Sequence, residues 1–193
     1  MPIRKAYQTL EDRDIHKIES DGPFPCFWKN AWLGKGYYFW ESFIENAHWW
    51  GVEGACYKNG YVICETSFDL DDNKCFNLVD NPNHLEQFNK TKNILKEKKL
   101  YTEGVTTVAR VINFIKQINI FNFEAIRVYG INSVGFNSTY SNRTIFVFKE
   151  GKKSFQYLDS TPAIQINFFT KSSLSRKGFK IIYPPEYTDD YLV

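Results

Sequence analysis

The block Gly34-Lys35-Gly36-Tyr37-Tyr38-Phe39-Trp40, with Asn46-Ala47-His48-Trp49 downstream, constrains this chain more than any other segment. Its glycines let backbone approach backbone or ligand closely, because they carry no Cβ. An alternating aromatic strand then presents Tyr38 on one face, and a short helix can bring Trp49 or Trp50 back over the same place. That geometry suits a planar ring stacked between aromatics, with backbone groups left for its polar edge. The bland alternative is an aromatic strand and helix packed in an ordinary core. An aromatic fraction of 18 %, with five Trp and twelve Tyr, fits a stacking site and equally a β-rich core.

With 193 residues the chain reads as one domain over its whole length, long enough to bury a core without staples. Twenty-four basic against 22 acidic residues leave a formal charge of +2, so no strong field favours nucleic acid or membrane. Met1-Pro2-Ile3-Arg4-Lys5 is followed by no apolar segment of signal-peptide type. No apolar run approaches the roughly 18 residues a membrane span requires. A soluble, cytoplasmic protein is expected. Cys26, Cys56, Cys64 and Cys75 show no Cys-x-x-Cys spacing, and His16, His48 and His84 are scattered, so no metal site is expected. The cysteines read as reduced, small buried residues.

Ile3 to Leu10 reads as a strand ended by Glu11-Asp12-Arg13-Asp14, and Asp21-Gly22-Pro23-Phe24-Pro25 as a turn-rich loop. Lys35 to Trp40 is a strand. A helix starting at Glu41 or Ser42 should run through Trp50 and close at Gly51. Val62, Cys64, Thr66 and Phe68 alternate within a strand from Tyr61 to Leu70. Asp71-Asp72-Asn73 then predicts a hairpin-like turn into Cys75 to Val79. His84 to Leu100 is a lysine-rich helix, and Val105, Val108, Ile112, Ile115 and Ile118 mark an amphipathic one. Strands are expected at Ala125 to Tyr129, Thr144 to Lys149, Ser154 to Leu158 and Ala163 to Phe169. Central helices between strand-rich ends predict an α+β fold, with first and last strands in one sheet.

No Walker loop, nucleophile elbow or Rossmann fingerprint is present. The Lys90–Lys99 run reads as the solvated face of a helix, since no aromatic platform interleaves with it. Glu41, Glu45, Glu53 and Glu65 lie near the aromatic block, and surface solvation is the default for them. Glu65 stands apart because it interrupts an apolar strand. Tyr7 reads as core and His48 as a helix-surface residue.

The aromatic block resembles the central motif of the ADP-ribosyltransferases of the poly(ADP-ribose) polymerase and diphtheria-toxin type. There Gly-Lys-Gly-aliphatic-Tyr-Phe is followed by Ser-Ala-x-Tyr at a matching interval. The family's first motif, a strand with His-Gly, falls on Ala6-Tyr7-Gln8-Thr9. Its third, a strand opening with the catalytic Glu, falls on Ala163-Ile164-Gln165-Ile166-Asn167-Phe168-Phe169, followed by Ser172-Ser173-Leu174. The resemblance implies two split, mostly antiparallel β-sheets with flanking helices and NAD in the cleft between them. It implies that Tyr38 and Trp49 bracket the nicotinamide beside Gly36, and that Asn46, in place of Ser, and the Thr9 backbone bind its amide. Gln8 stands where a His grips a ribose. Gln165 stands where a Glu polarises the nicotinamide ribose, and a neutral amide there stabilises developing positive charge much less than a carboxylate.

The implied activity is transfer of one ADP-ribose from NAD to a macromolecular acceptor, protein or nucleic acid. A bacterial toxin, effector or defence protein with an immunity or antitoxin partner would suit so compact an enzyme. The alternatives are an NAD- or ADP-ribose-binding pseudoenzyme, an NAD glycohydrolase, and an interaction module built on the lysine face. A carboxylate from elsewhere, Glu65 or Glu150, could replace the family Glu.

Overall fold

The computed structural model describes residues 3–118, 121–130, 145–149 and 157–188. Nine strands occur among them: β1 (Ile3–Glu11), β2 (Tyr37–Glu41), β3 (Tyr61–Asp69), β4 (Cys75–Asn77), β5 (Ala125–Tyr129), β6 (Ile145–Val147), β7 (Tyr157–Asp159), β8 (Ile164–Phe168) and β9 (Lys177–Tyr183). Four α-helices accompany them: α1 (Ile15–Asp21), α2 (Ile44–Trp49), α3 (Pro82–Glu97) and α4 (Val108–Gln117). Seven strands form one sheet in the order β4-β5-β8-β2-β1-β3-β9, and β6 pairs with β7 in a separate ribbon. Within the large sheet only β4 and β5 run parallel. The chain is thus an α+β protein with a mixed sheet. Of the strands expected at 144–149 and 154–158, the parts at Thr144 and at 154–156 fall outside the described residues, as does Glu150.

Burial explains the order. From Tyr7 to Leu10 four successive residues of β1 are buried, as expected for a strand covered on both faces. One face carries α2, α3 and α4: Tyr7, Trp40 and Ile63 pack with Ala47 and Trp49, while Phe76 and Ile126 pack with Leu95, Val111, Ile112 and Ile115. The other face carries α1 and the 3₁₀ turn Ser173–Ser175. There Leu10, Val62, Cys64 and Ile181 enclose Ile18, and Phe39, Phe68 and Phe168 enclose Leu174. In α4 the buried stripe is Val111, Ile112 and Ile115; Val105 precedes the helix, and Val108 and Ile118 lie at its ends, all three exposed.

Several expectations are corrected. Asp71 accepts the N–H of Asn73 at 2.9 Å, so the turn after β3 has the expected chemistry. It makes no hairpin, however: the chain crosses to the far edge of the sheet, where Cys75 pairs with Ala125 of β5, and β9 takes the free side of β3. The helix after β2 begins at Ile44, with Glu41 still in the strand and Ser42 in the left-handed region at φ 66°. Nor does it stop at Gly51. The chain continues in a π-turn, Trp50–Gly54, and Gly51 is required by contact instead: a Cβ there would lie 2.5 Å from the Tyr61 ring. Helix α1, capped by Asp14 on the His16 N–H at 3.2 Å, and strand β9 were not expected.

Among the cysteines only Cys64 and Cys75 are buried; Cys26 is half-buried and Cys56 exposed. Burial pushes the Cys64 thiol up to about 12. Glu41, expected to be solvated, is fully buried and pairs with Arg4 and Arg127. Tyr7 is core, but His48 is half-buried, with Nδ1 2.9 Å from the Tyr61 hydroxyl and its ring edge-on to Tyr183.

Candidate functional site

Strands β1 and β2 are partners over only two pairs, Ala6 with Glu41 and Tyr7 with Trp40, whereas β1 stays paired with β3 along its whole length. Beyond Tyr7 the two strands part. Ser42 donates to the Lys5 carbonyl at 3.0 Å, and antiparallel alternation then turns the backbone groups of Lys5, Tyr7 and Thr9 toward β2. Past the split, the N–H and C=O of Thr9 therefore face the gap. A cavity of about 700 Å³ opens there, within the size range of small-molecule sites. Its wall takes Leu10 and Phe24 from one face of the sheet and Thr9, Trp40 and Gln165 from the other, as a gap between strands allows.

The lining is aromatic. All five tryptophans of the chain, Trp28, Trp32, Trp40, Trp49 and Trp50, border the cavity. Trp49 stands edge-on to Trp40 at 6.0 Å, Trp32 edge-on to both Trp40 and Trp50, and Trp28 tilts over Trp50 at 6.1 Å. Trp28 and Trp32 remain 55 % and 42 % exposed, so the indole wall runs from the core to the mouth.

Five of the seven residues singled out in the sequence meet on this wall: Gln8, Thr9, Tyr38, Trp49 and Gln165. Each is constrained differently. The Gln8 carboxamide donates to the carbonyls of Phe24 at 2.8 Å and Tyr38 at 3.3 Å, and accepts the Phe24 N–H at 2.9 Å, so its amide is committed to backbone. The Thr9 hydroxyl donates to the Ala47 carbonyl at 2.8 Å, fastening α2 to β1. The Tyr38 hydroxyl donates to Gly34 O at 2.6 Å and accepts the Leu33 N–H at 2.7 Å. Burial pushes the Tyr38 phenol far above its ordinary range, which suits a wall rather than an acid or base. Trp49 is packed on Trp40.

Gln165 differs from the rest. It is 6 % exposed, and its Oε1 is buried with no hydrogen-bond partner among the described residues. A buried carbonyl left unpaired costs about 1–3 kcal/mol, and the Asn167 Oδ1 on the same strand is in the same state. Its strand sets its position, since Gln165 lies across from Trp40 on one side and Val128 on the other.

The other two residues lie off the cavity wall. Asn46 is buried and donates to the Pro162 carbonyl at 3.3 Å, tying α2 to the approach to β8. Gly36 bridges to Cys26 and lies over Asn167, whose Oδ1 would be 2.0 Å from a Cβ at this position.

Of the carboxylates considered, Glu65 pairs with Lys5 at 3.0 Å and does not line the cavity. The carboxylates on the wall are Glu11 and Glu53. Glu11, Arg13 and Tyr57, together with Trp28 and Trp32 in the loop before β2, are functional candidates the sequence reading passed over. The exposed Trp-x-x-x-Trp spacing in a proline- and glycine-punctuated loop was the available signal for the last two.

No family model matches the chain, and neither a curated protein nor a solved structure matches it. Among the described residues no helix is long and apolar enough to cross a membrane.

Proposed function

We propose that the cleft between β1 and β2 binds NAD, and that the protein is a mono-ADP-ribosyltransferase delivering ADP-ribose to a macromolecular acceptor. The observation that carries this reading is Gln165, a residue on the wall of an indole-lined cavity whose buried carboxamide oxygen has no hydrogen-bond partner among the described residues. Its oxygen is suited to accept from a ribose hydroxyl, and the indoles to hold a planar ring. On this reading the parting of β1 from β2, within the one seven-strand sheet, stands where an ADP-ribosyltransferase-like fold has its split. The outward-facing Thr9 backbone would take the carboxamide of the nicotinamide.

In the reaction the bond between the nicotinamide nitrogen and ribose C1′ breaks, and nicotinamide leaves with the bonding pair. A nucleophile of the acceptor bonds to C1′ and gives up its proton. Positive charge grows on the ribose as this happens, and a carboxylate stabilises it best. Gln165 carries none, and the carboxylates on the described wall that could take that task are Glu53 and Glu11.

A second reading, an NAD- or ADP-ribose-binding protein without turnover, is favoured by the neutral amide at Gln165 and by the commitment of Gln8 to backbone. Incubation with NAD, with nicotinamide followed by chromatography, separates the two. The transferase reading expects release in the wild type that falls about tenfold or more in Gln165→Ala and in one of Glu53→Gln and Glu11→Gln. Free ADP-ribose with no labelled acceptor would instead identify a glycohydrolase. Thermal stabilisation by NAD with no release would identify the binding protein. Absence of both would return the tryptophans to the role of core.

A further inference from the structure

Arg13 is the one Lys or Arg on the cavity wall among the described residues. It follows β1 directly, and its guanidinium lies over the Phe24 ring, 5.0 Å from the centroid. Phe24 is itself immobilised: Gln8 donates to its carbonyl and accepts its N–H, as a neighbouring strand would. Gln8 thereby fixes the backbone that carries the ring, and the ring supports the cation. The Arg13 Nε reaches only the Glu11 carbonyl, at 3.5 Å, and no carboxylate forms an ion pair with Arg13 among the described residues. Glu11 and Glu53 share the wall, and Glu11 accepts from the Asn59 amide at 3.2 Å. A guanidinium set over an aromatic ring, with its terminal nitrogens unpaired among the described residues, is suited to a bidentate anion. Arg13 is exposed, so its guanidinium is open to an incoming anion.

We infer that Arg13 is the contact for a phosphate of the bound ligand, and that Gln8 acts as a positioning residue that builds the Phe24 platform beneath it. The cavity therefore selects a nucleotide over the corresponding nucleoside or free base. The inference rests on the NAD reading above and adds to it the residue that recognises the diphosphate. Carboxylates only accept, so Glu11 and Glu53 suit sugar hydroxyls and leave the phosphate to Arg13.

The five indoles supply the readout. Tryptophan fluorescence is titrated with NAD and with nicotinamide riboside, which lacks phosphate, in the wild type, Arg13→Gln, Arg13→Lys and Gln8→Ala. The wild type is expected to bind NAD more tightly than the riboside. Arg13→Gln should weaken NAD about tenfold or more and leave the riboside within about twofold, a charge-assisted contact being lost. Lysine should recover part of the affinity. Gln8→Ala should weaken NAD selectively as well, and add little in the Arg13→Gln background. Equal NAD affinity in the wild type and Arg13→Gln would overturn the inference and leave the NAD reading standing. Parallel loss of NAD and riboside would overturn it too, since Arg13 would then serve the ring rather than the phosphate. No response of the wild type to either ligand would remove the NAD reading and this inference together.

Discussion

Gly36 shows how one residue couples the aromatic block to the rest of the sheet. Its φ of 153° and its contact with Asn167 leave no room for a side chain, and a Cβ would also lie 2.7 Å from the Phe168 carbonyl. Asn167 is held there, fully buried, with its amide 3.4 Å from the carbonyls of Leu33 and Lys35. Gly36→Ala is therefore expected to destabilise the protein by about 3 kcal/mol, through overpacking and backbone strain together. Combining it with Asn167→Ala should recover only part of the loss, because the Phe168 carbonyl remains in the way. Urea denaturation of the single and double variants measures both effects. The sequence singled out Gly36 for its freedom beside a ligand. The structure gives that freedom a different use, close packing of the loop before β2 onto β8.

At the scale of elements, Glu41 joins strands that are far apart in the chain. Its carboxylate pairs with Arg4 of β1 and with Arg127 of β5, at 2.6 Å, and Arg127 continues to Asp80 at 2.9 Å and to Asn77 of β4 at 3.0 Å. Glu41 and Arg127 are almost wholly shielded from water, so neither guanidinium nor carboxylate can exchange its partner for solvent. Glu41→Gln leaves two arginines beside a neutral amide and should cost about 3–5 kcal/mol, as for other broken buried pairs. A fall in the urea midpoint at unchanged slope is the expected result. A loss below about 1 kcal/mol would show that the network is not buried as described. Glutamate is ordinarily a surface residue, which is why the sequence assigned Glu41 to solvent. Only the packing of four strands brings two arginines to it.

For the whole molecule, acid sensitivity follows from two histidines kept neutral. Burial lowers His84, whose Nδ1 accepts the Asn77 N–H at 3.0 Å, although the nearby Asp72 carboxylate opposes the shift. Burial also lowers His48, against the opposing charge of Glu45. A histidine depressed in the folded state binds its proton more readily when unfolded. Its contribution to stability is complete above the unfolded value near about 6.5 and is lost as pH falls through the folded value. Stability should therefore decline as pH falls below about 6.5. His84→Asn, which keeps an acceptor near the Asn77 N–H but does not titrate, should flatten part of that decline in urea melts at matched pH. Should the variant show the same slope as the wild type, the decline would belong to other groups; Asp80, which its bonds to Asn77 and Arg127 hold below the usual carboxylate range against the effect of burial, loses its contribution only at more acidic pH.

Local chemistry was legible in the residues wherever a pattern acts within a few positions. The alternation in Tyr61 to Leu70, the apolar spacing around Ile112 and Ile115, and the glycine-flanked strand before Trp40 all correspond to elements of the structure. Those patterns arise from backbone geometry, which repeats at two or 3.6 residues whatever surrounds it. What lay beyond them depends on partners distant in the chain. The turn at Asp71 reveals a change of direction but not the strand to which the chain returns. Gly51 resembles a helix terminator until the Tyr61 ring is seen against it. Strand β9, with two lysines, a glycine and mostly exposed or half-exposed side chains, has no period to announce it and exists because β3 has an edge to fill. The cleft has the same character. Tyr38 and Trp49 could be named from their neighbours and Gln165 from the family resemblance, whereas Arg13, Glu11, Trp28 and Trp32 reach the same wall because β1 and β2 separate after two pairs, a property of the sheet and of no single segment.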